Sequence, residues 1–336
     1  MANVTFFECS DKVIPSALLL LPLLELCQQQ DVDTSKVLNG SKLAYYDLLK
    51  SDINISFDQL AVCCHNSLNL LPHNDFSFQI GQQFFNQYNS DIKTAIVNAR
   101  NLTHVFKLLR CFSNEFFPVC KFSEFNSEQQ RHFVIDVGIK HCPERVERFF
   151  YETLISIVCH FIDWRFPEID ITIQLPFKAP KHLEYYHTFI KHPVIFDKPL
   201  LLISIKSEQL DIPAKDSSTI LRRQAFYKLT KKQKLNSLLT VLARHIACKP
   251  NTTLETAAAH LSMSPATLKR KLQAHNTSFK YEKDQVLKNV TLFHLMQTSA
   301  SNQTISEKLA INDLTNFRRL LKRLTGKTPN QLRLAK

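Results

Sequence analysis

The amino-acid sequence predicts a multidomain α+β protein, mostly helical at its N-terminal side and entirely helical at its C-terminal side. Three observations support this fold class. The chain has 336 residues, which suits two domains better than one. Its residues are 44% hydrophobic and 21% charged, as is typical of soluble globular proteins. Period-two apolar runs are confined to the middle of the chain, and spacings of three and four residues occur on both sides of them.

The first part of the N-terminal region, residues 15–115, is predicted to be mostly helical. The apolar run from Ile14 to Leu24 follows acidic residues and lacks a cleavage pattern, unlike a secretory signal peptide. It is also shorter than the roughly 20 apolar residues that a membrane span requires. We therefore expect a buried helix in a cytoplasmic protein that has no membrane partner.

The second part, residues 116–210, is predicted to be an α+β unit with the order ββαβαββ. Its predicted elements are strands over Pro118 to Phe125 and Gln130 to Ile139, a helix from about Pro143 to Trp164, a strand over Glu168 to Leu175, a helix over Pro180 to Lys191, and strands over Val194 to Phe196 and Leu200 to Ile205. Residues 211–234 lose this periodicity and become charged, which predicts a linker.

Charge divides the chain into two parts. From Met1 to Leu221 there are 20 Lys and Arg against 25 Asp and Glu, a net charge of −5. From Arg222 to Lys336 there are 22 against 5, a net charge of +17. A strongly basic domain favours an anionic partner such as nucleic acid, because each cation set against a phosphate releases a condensed counterion.

The all-α C-terminal domain, residues 235–336, contains two predicted helix-turn-helix units. In the first unit, a helix over Leu254 to Leu261 precedes a short break. Ser264 then provides an N-cap for a second helix over Pro265 to His275, which carries three consecutive cations. In such a motif the first helix braces the second, which enters the major groove of double-stranded DNA.

The second unit repeats this arrangement about fifty residues later. A short helix over Thr304 to Leu309 is followed by a turn over Ala310 to Asp313 and a cationic helix over Leu314 to Leu324. A long helix over Phe279 to Gln297 connects the two units and sets their separation.

These residues resemble the AraC/XylS family of transcription regulators over about residues 235 to 334. The matching residues are Leu254, Glu255, Ala257, Ala258, Leu261, Met263 to Pro265, Thr267 to Leu272, Ser278, Phe279, Phe317 to Arg319, Lys322, Arg323 and Thr325 to Pro329. Both units occur in the family's order and spacing. Residues 1–210 are similar, in length and layout, to the sensor region of the branch that includes regulators of ornithine, arginine and alkane metabolism.

The resemblance implies a sequence-specific DNA-binding regulator that places two recognition helices in successive major grooves. It implies that residues 1–210 sense an effector or form a homodimer, and that RNA polymerase is a partner; whether the regulator is an activator or a repressor stays open. Carried over by position, the base-contacting residues are Ala266, Lys269, Arg270, Leu314, Thr315, Arg318 and Arg319. The residues suited to phosphate contacts are Thr267, Asn316, Lys322 and Arg323. Arg270 and Arg319 are the best candidates for bidentate contacts to guanine.

The chain departs from the family where a glycine usually closes the bracing helix of the second unit. Here Leu309, Ala310 and Ile311 replace Leu-Gly-Phe. A residue with a Cβ costs about 1 kcal/mol in the left-handed conformation expected at that position. We therefore expect the second unit to bind in a shifted geometry.

Other chemistry is weakly indicated. The 9 cysteines show no C-x-x-C spacing, and His182, His187 and His192 fall on different helix faces, so no metal site is expected. No phosphate-binding or nucleophile motif occurs, so we expect no cofactor and no enzyme activity. Two alternatives stay open, namely an enzyme that the basic region localises to nucleic acid, and an architectural DNA-binding protein without sequence preference.

Aromatic residues are dense between Phe76 and Phe166. Core packing explains most of them, because aromatic side chains supply large buried areas. The remainder can line an effector pocket, for which a small apolar or amphipathic molecule would fit better than a sugar.

Overall fold

The computed structural model describes residues 6–50, 53–71, 73, 75–87, 89–137, 142–232 and 236–334. These residues form two compact units. The N-terminal unit comprises the described residues of 9–124 and 129–232, and the C-terminal unit those of 6–8, 125–128 and 236–334. None of the helices in the described part of the chain combines the length and the apolar character that crossing a bilayer demands.

The N-terminal unit is an α+β structure in which helices predominate. Its helices are α1 (Ser16–Gln29), α2 (Thr34–Leu38), α3 (Tyr45–Leu48), α4 (Phe57–Leu70), α5 (Phe76–Gln87), α6 (Asp91–Val97), α7 (Leu102–Phe116), α8 (Glu144–Arg165), α9 (Leu183–Phe189) and α10 (Thr219–Lys231). Its strands are β2 (Ile14–Pro15), β3 (Asn54–Ile55), β4 (Cys120–Asn126), β5 (Gln130–Val137), β6 (Ile171–Gln174), β7 (Val194–Ile195) and β8 (Leu201–Lys206), counted after β1 (Phe6–Phe7) of the other unit.

The central helix of this unit is α8, which has 22 residues and is buried along most of its length. It packs against α5, and Gly81 of α5 allows the close approach. A Cβ built on Gly81 would lie 2.4 Å from Cβ of Ser156, so only a glycine fits there. The Ser156 hydroxyl donates a 2.8 Å hydrogen bond to the carbonyl oxygen of Phe78, which joins the two helices.

A five-stranded sheet has the order β4-β5-β8-β6-β7. Strand β8 pairs antiparallel with both β5 and β6, and β6 pairs parallel with β7. Strand β8 is buried over Leu201 to Ile205, as befits a central strand. The strand predicted over Glu168 to Leu175 is shorter than expected, because the backbone N–H of Ile169 bonds to Phe166 and closes a turn before β6 begins.

The stretch predicted as a linker contains the helix α10. Ser218 caps this helix, its Ala225 and Leu229 are buried, and it packs against α6. An ion pair of 2.7 Å between Lys232 and Asp91 adds to this packing. The prediction missed the helix because only two of its apolar residues are buried, and its other positions are largely charged or polar.

The C-terminal unit is helical except for one short strand pair. Its helices are α11 (Leu238–Cys248), α12 (Leu254–His260), α13 (Pro265–Ala274), α14 (Phe279–Gln297), α15 (Asn302–Lys308), α16 (Leu314–Thr325) and α17 (Pro329–Leu334). Strand β9 (Asn236–Ser237) pairs parallel with β1, so the prediction of an all-α domain made only of C-terminal residues was wrong in this detail. Pairing between two-residue strands so far apart in the chain has no periodic signal in the sequence.

Some predicted boundaries lie outside the described residues. They are Leu235, where the C-terminal domain was predicted to begin, the linker residues 233–234, residues 138–139 at the end of a predicted strand, and both chain ends.

Candidate DNA-binding surface

The first helix pair of the C-terminal unit consists of α12 and α13, and a side chain caps the start of each helix. Thr253 Oγ1 accepts a hydrogen bond of 3.3 Å from the N–H of Thr256. Ser264 Oγ accepts one of 3.1 Å from the N–H of Thr267. Such caps stabilise a helix by about 1 kcal/mol each, so the local sequence determines where both helices begin.

Helix α13 buries one face and exposes the other. Leu268 and Leu272 pack in a core with Leu242, Ile246 and other apolar residues of α11 and α12. Of the predicted DNA contacts on α13, Ala266, Lys269 and Arg270 are exposed and Thr267 is half-buried. The Thr267 hydroxyl lies 2.9 Å from the Ser264 hydroxyl, so it already takes part in the cap.

The second helix pair, α15 and α16, has the same construction. Asp313 caps α16 by accepting hydrogen bonds of 3.0 Å from the N–H of Thr315 and 3.2 Å from that of Asn316. These bonds, chiefly that of Thr315, hold the pKa of the Asp313 carboxyl below its ordinary value. Of the predicted DNA contacts on α16, Leu314 is half-buried, and Thr315, Asn316, Arg318, Arg319, Lys322 and Arg323 are exposed.

The two second helices correspond position by position when counted from their caps, Ser264 and Asp313. The fourth and eighth residues after the cap are buried: Leu268 and Leu272 in α13, Phe317 and Leu321 in α16. The fifth and sixth residues are exposed cations: Lys269 and Arg270 in α13, Arg318 and Arg319 in α16. Each unit therefore presents two adjacent cations at the same place relative to its core.

The corner between the two helices is also alike in both pairs. Ser262 and Ala310 adopt left-handed backbone conformations with φ of 56° and 55°. The next residues, Met263 and Ile311, donate backbone hydrogen bonds to carbonyls five positions earlier, at 3.0 and 2.8 Å. Alanine therefore keeps the turn that a glycine would form, and at this corner the backbone shows no shift relative to the first pair.

Replacing Ala310 by glycine is expected to stabilise the C-terminal unit by about 0.5–1 kcal/mol, because glycine adopts this conformation without strain. Urea denaturation followed by far-UV circular dichroism measures the change. Ser262→Gly should act in the same direction. Ala259→Gly, at an exposed position inside α12, is the control with opposite sign, since glycine costs about 1 kcal/mol in a helix interior. Equal effects of Ala310→Gly and Ala259→Gly would contradict strain at the corner.

Two cations of these helices are paired with acids. Arg323 of α16 donates bidentate hydrogen bonds of 2.6 and 2.9 Å to Asp284 of α14, which raise its pKa above the ordinary value. Lys271 of α13 lies 2.7 Å from Glu8, and this hydrogen bond lowers the pKa of the Glu8 carboxyl. No ion pair to Arg270 or Arg319 is found in the described part of the C-terminal unit, so both are available to an external partner.

Sequence reasoning missed the partners of these cations. Asp284 is 39 residues from Arg323, and Glu8 is 263 residues from Lys271, so no local pattern links them. The sequence does indicate the cap formed by Asp313, because this aspartate directly precedes the first apolar residue of α16.

The three histidines that were weighed as metal ligands occupy different surroundings. His182 Nε2 lies 3.4 Å from Glu152, His192 Nε2 lies 3.2 Å from Asp163, and His187 is exposed. Among the described residues, no group of three or more His, Cys, Asp or Glu could hold a metal ion.

A comparison with known protein families identifies the family to which the chain belongs. Residues 32–214 match a family described as the arabinose-binding domain of AraC transcription regulator, N-term. The chain belongs to the AraC family of transcription regulators. This match covers the sensor side of the AraC-type chain, whereas the sequence resemblance rested mainly on its C-terminal side.

The relatives of this AraC-family chain include the ornithine utilization regulator of Pseudomonas aeruginosa, 29% identical over 189 residues. The alignment covers 54% of this chain and 55% of that protein, so the chain spans just over half the length of the curated relative that it matches. The transcriptional regulator CdpR of Pseudomonas aeruginosa is 17% identical with a TM-score of 0.42, covering 94% of this chain and 97% of that one. A DNA-binding transcriptional dual regulator of Escherichia coli K-12 is 20% identical with a TM-score of 0.29, covering 31% of this chain and 96% of that one.

Proposed function

We propose that this chain is a sequence-specific DNA-binding transcription regulator in which α12 with α13, and α15 with α16, are helix-turn-helix units. The observation that carries the proposal is the repeated placement of two exposed cations beside a buried apolar pair, at the same distance from each cap. B-DNA offers its base edges in a major groove that admits one α-helix, and arginine forms bidentate contacts with guanine there.

The two units would occupy successive major grooves on one face of the DNA, about 34 Å apart. Helix α14 joins them in the chain, and its 19 residues are roughly 28 Å long at 1.5 Å per residue. In this proposal Arg270 and Arg319 contact bases. Lys269, Thr315 and Arg318 are the further base-contacting residues, and Ala266 and Leu314 offer only apolar contact, for instance to a thymine methyl group. Lys322 and Asn316 contact phosphate, and Thr267 does so from the first turn of α13.

Arg323 is assigned a different role from the phosphate contact first expected. Its guanidinium is already held by Asp284, and breaking a bidentate pair to reach a phosphate would return little net free energy. We propose that the pair fixes α16 against α14. The N-terminal unit, as in AraC-type sensors, would bind a small-molecule effector or form a homodimer, and thereby govern DNA binding and the contact with RNA polymerase in the cytoplasm.

Selection of bound sequences from a random DNA pool at physiological salt tests the proposal. The wild-type chain is compared with Arg270→Ala and Arg319→Ala, and Lys280→Ala serves as a matched loss of one exposed cation outside the two helices. We expect a two-part motif, preferred by about 10³ or more over random DNA. Each arginine substitution should relax its own half by about 1–3 kcal/mol of base discrimination.

Lys280→Ala should leave the motif unchanged and at most weaken binding uniformly. A single half-motif would contradict the two-groove arrangement. Binding without any enriched motif would favour the architectural alternative, which the net charge of +17 from Arg222 onwards also suits.

A further inference from the structure

The N-terminal unit contains a cavity of about 370 Å³ between α4, α5, α8 and the start of α9. This volume lies within the range of roughly 300–1,000 Å³ that is usual for small-molecule sites. Its lining differs from the apolar pocket expected from the aromatic residues. Phe76 and Phe149 contribute apolar surface, but most of the other lining side chains are polar or charged.

One of the residues that line the cavity is a buried carboxylate, Glu152. Glu152 is 4% exposed and accepts hydrogen bonds of 2.8 Å from the Ser77 hydroxyl and 2.7 Å from the Tyr186 hydroxyl. Burial raises the pKa of Tyr186, so its hydroxyl stays protonated and acts as a donor. His182 Nε2 lies 3.4 Å from the same carboxylate. These donors offset part of the cost of burying a negative charge, and a cation in the cavity would offset more of it.

Two arginines stand on the same face of α8, four and seven residues before Glu152. Arg148 packs over the ring of Phe177, with its guanidinium carbon 4.8 Å from the ring centre. It also lies 3.5 Å from Glu144, whose side chain is 82% exposed, and such exposed pairs are weak. The Nε atom of Arg148 is buried, and no hydrogen-bond partner for it exists in the described part of the chain. An unpaired buried donor is costly, which favours an anion at this end of the cavity.

The spacing of these residues along α8 bears on which ligand the cavity favours. At 1.5 Å per residue, the Cα atoms of Arg148 and Arg145 lie about 6 and 10.5 Å from that of Glu152 along the helix axis. In an α-amino acid the nitrogen and the carboxyl carbon are only about 2.5 Å apart, which is shorter than either Cα spacing, so a ligand with more widely separated charges is favoured.

We propose that this cavity binds a short aliphatic amino carboxylate with its two charges at opposite ends. Its ammonium group bonds to Glu152, its carboxylate bonds to Arg148 and Arg145, and its methylene chain contacts Phe76 and Phe149. A sugar carries no charge that could be set against Glu152 or Arg148. The cavity is thus selective for the distance between the two charges of its ligand and not for hydroxyl groups.

Isothermal titration calorimetry on the full chain without DNA tests the proposal. The isomers 6-aminohexanoate and L-norleucine have the same atoms and differ only in where the ammonium group stands. Hexanoate and hexylamine each lack one charge, and L-arabinose represents a sugar. We expect 6-aminohexanoate to bind at least about tenfold more tightly than any of the other four, because each charge-assisted hydrogen bond is worth roughly 1.5–3 kcal/mol.

Glu152→Gln and Arg148→Gln should each weaken binding of 6-aminohexanoate by about tenfold or more, for the same reason. Glu184→Gln, an exposed carboxylate of α9 outside the cavity, is the matched control and should change nothing. Arg148 is partly exposed, so its variant keeps the test valid if Glu152→Gln fails to fold.

Several results would overturn the proposal. They are equal binding of the two isomers, equal binding of hexanoate, stronger binding of L-arabinose, undiminished binding by folded variants, and no binding by any of the five probes. Because DNA is absent from these measurements, their outcome is independent of the proposed DNA-binding function.

Discussion

Replacing Phe317 by alanine is expected to lower the free energy of unfolding of the C-terminal unit by about 3–5 kcal/mol, the usual cost of truncating a buried phenylalanine. Phe317 is fully buried on α16, directly before the exposed Arg318 and Arg319. The loss would therefore disturb the helix that is proposed to contact DNA. Urea denaturation followed by far-UV circular dichroism measures the change.

Two controls define this measurement. Asn316→Ala, at the exposed neighbouring position, should change the free energy of unfolding by less than about 0.5 kcal/mol. Trp164 is the sole tryptophan of the chain and belongs to the N-terminal unit, so its fluorescence midpoint should move less than the circular dichroism midpoint. Identical curves for Phe317→Ala and wild type would show that this side chain does not support the unit.

Replacing Gly81 by alanine is expected to destabilise the N-terminal unit by about 1–3 kcal/mol through overpacking. The new Cβ would lie 2.4 Å from Cβ of Ser156 and 2.8 Å from the carbonyl oxygen of Thr153, so α5 and α8 must move apart. Alanine is the better helix former by about 1 kcal/mol, but in a close helix contact the clash outweighs this gain.

Trp164 fluorescence during urea denaturation reports this change in the appropriate unit. Gly326→Ala is the contrasting variant, because nothing lies within 4 Å of a Cβ there and only its φ of +71° opposes alanine. It should cost about 1 kcal/mol and act on the other unit. A denaturation midpoint of Gly81→Ala at or above that of the wild type would show that the two helices can move apart without cost and that their contact is not rigid.

Three helices of the C-terminal unit could be predicted closely from the sequence, whereas α17 was not predicted. The prediction for the long connecting helix matches α14, and those for the two cationic helices differ from α13 and α16 by one residue at the C-terminal end. Capping residues such as Ser264 and Asp313 explain this accuracy, since they act within three residues of the backbone groups that they satisfy. The placement of the exposed cations could be predicted for the same reason.

The cavity of the N-terminal unit could not be predicted in this way. Ser77, Glu152 and Tyr186 meet through packing of α5, α8 and α9, although 34 to 75 residues separate each hydrogen-bonded pair. The sheet order could not be predicted either, because β8, the last of these strands in the chain, lies between β5 and β6. Such contacts depend on the tertiary arrangement, for which a single sequence carries no periodic signal.

The corners of the two helix pairs form without glycine, and this has a consequence for how the basic helices come into being. The left-handed conformation at Ser262 and Ala310 is locally disfavoured, so a short segment carrying one pair has no tendency of its own to bend there. Leu261 and Leu309 are buried directly beside the two bends, and their packing adds to the backbone hydrogen bonds of Met263 and Ile311 in stabilising them. A nascent chain would therefore expose its cations on unoriented segments, and their alignment would arise in one cooperative step once the surrounding core has assembled.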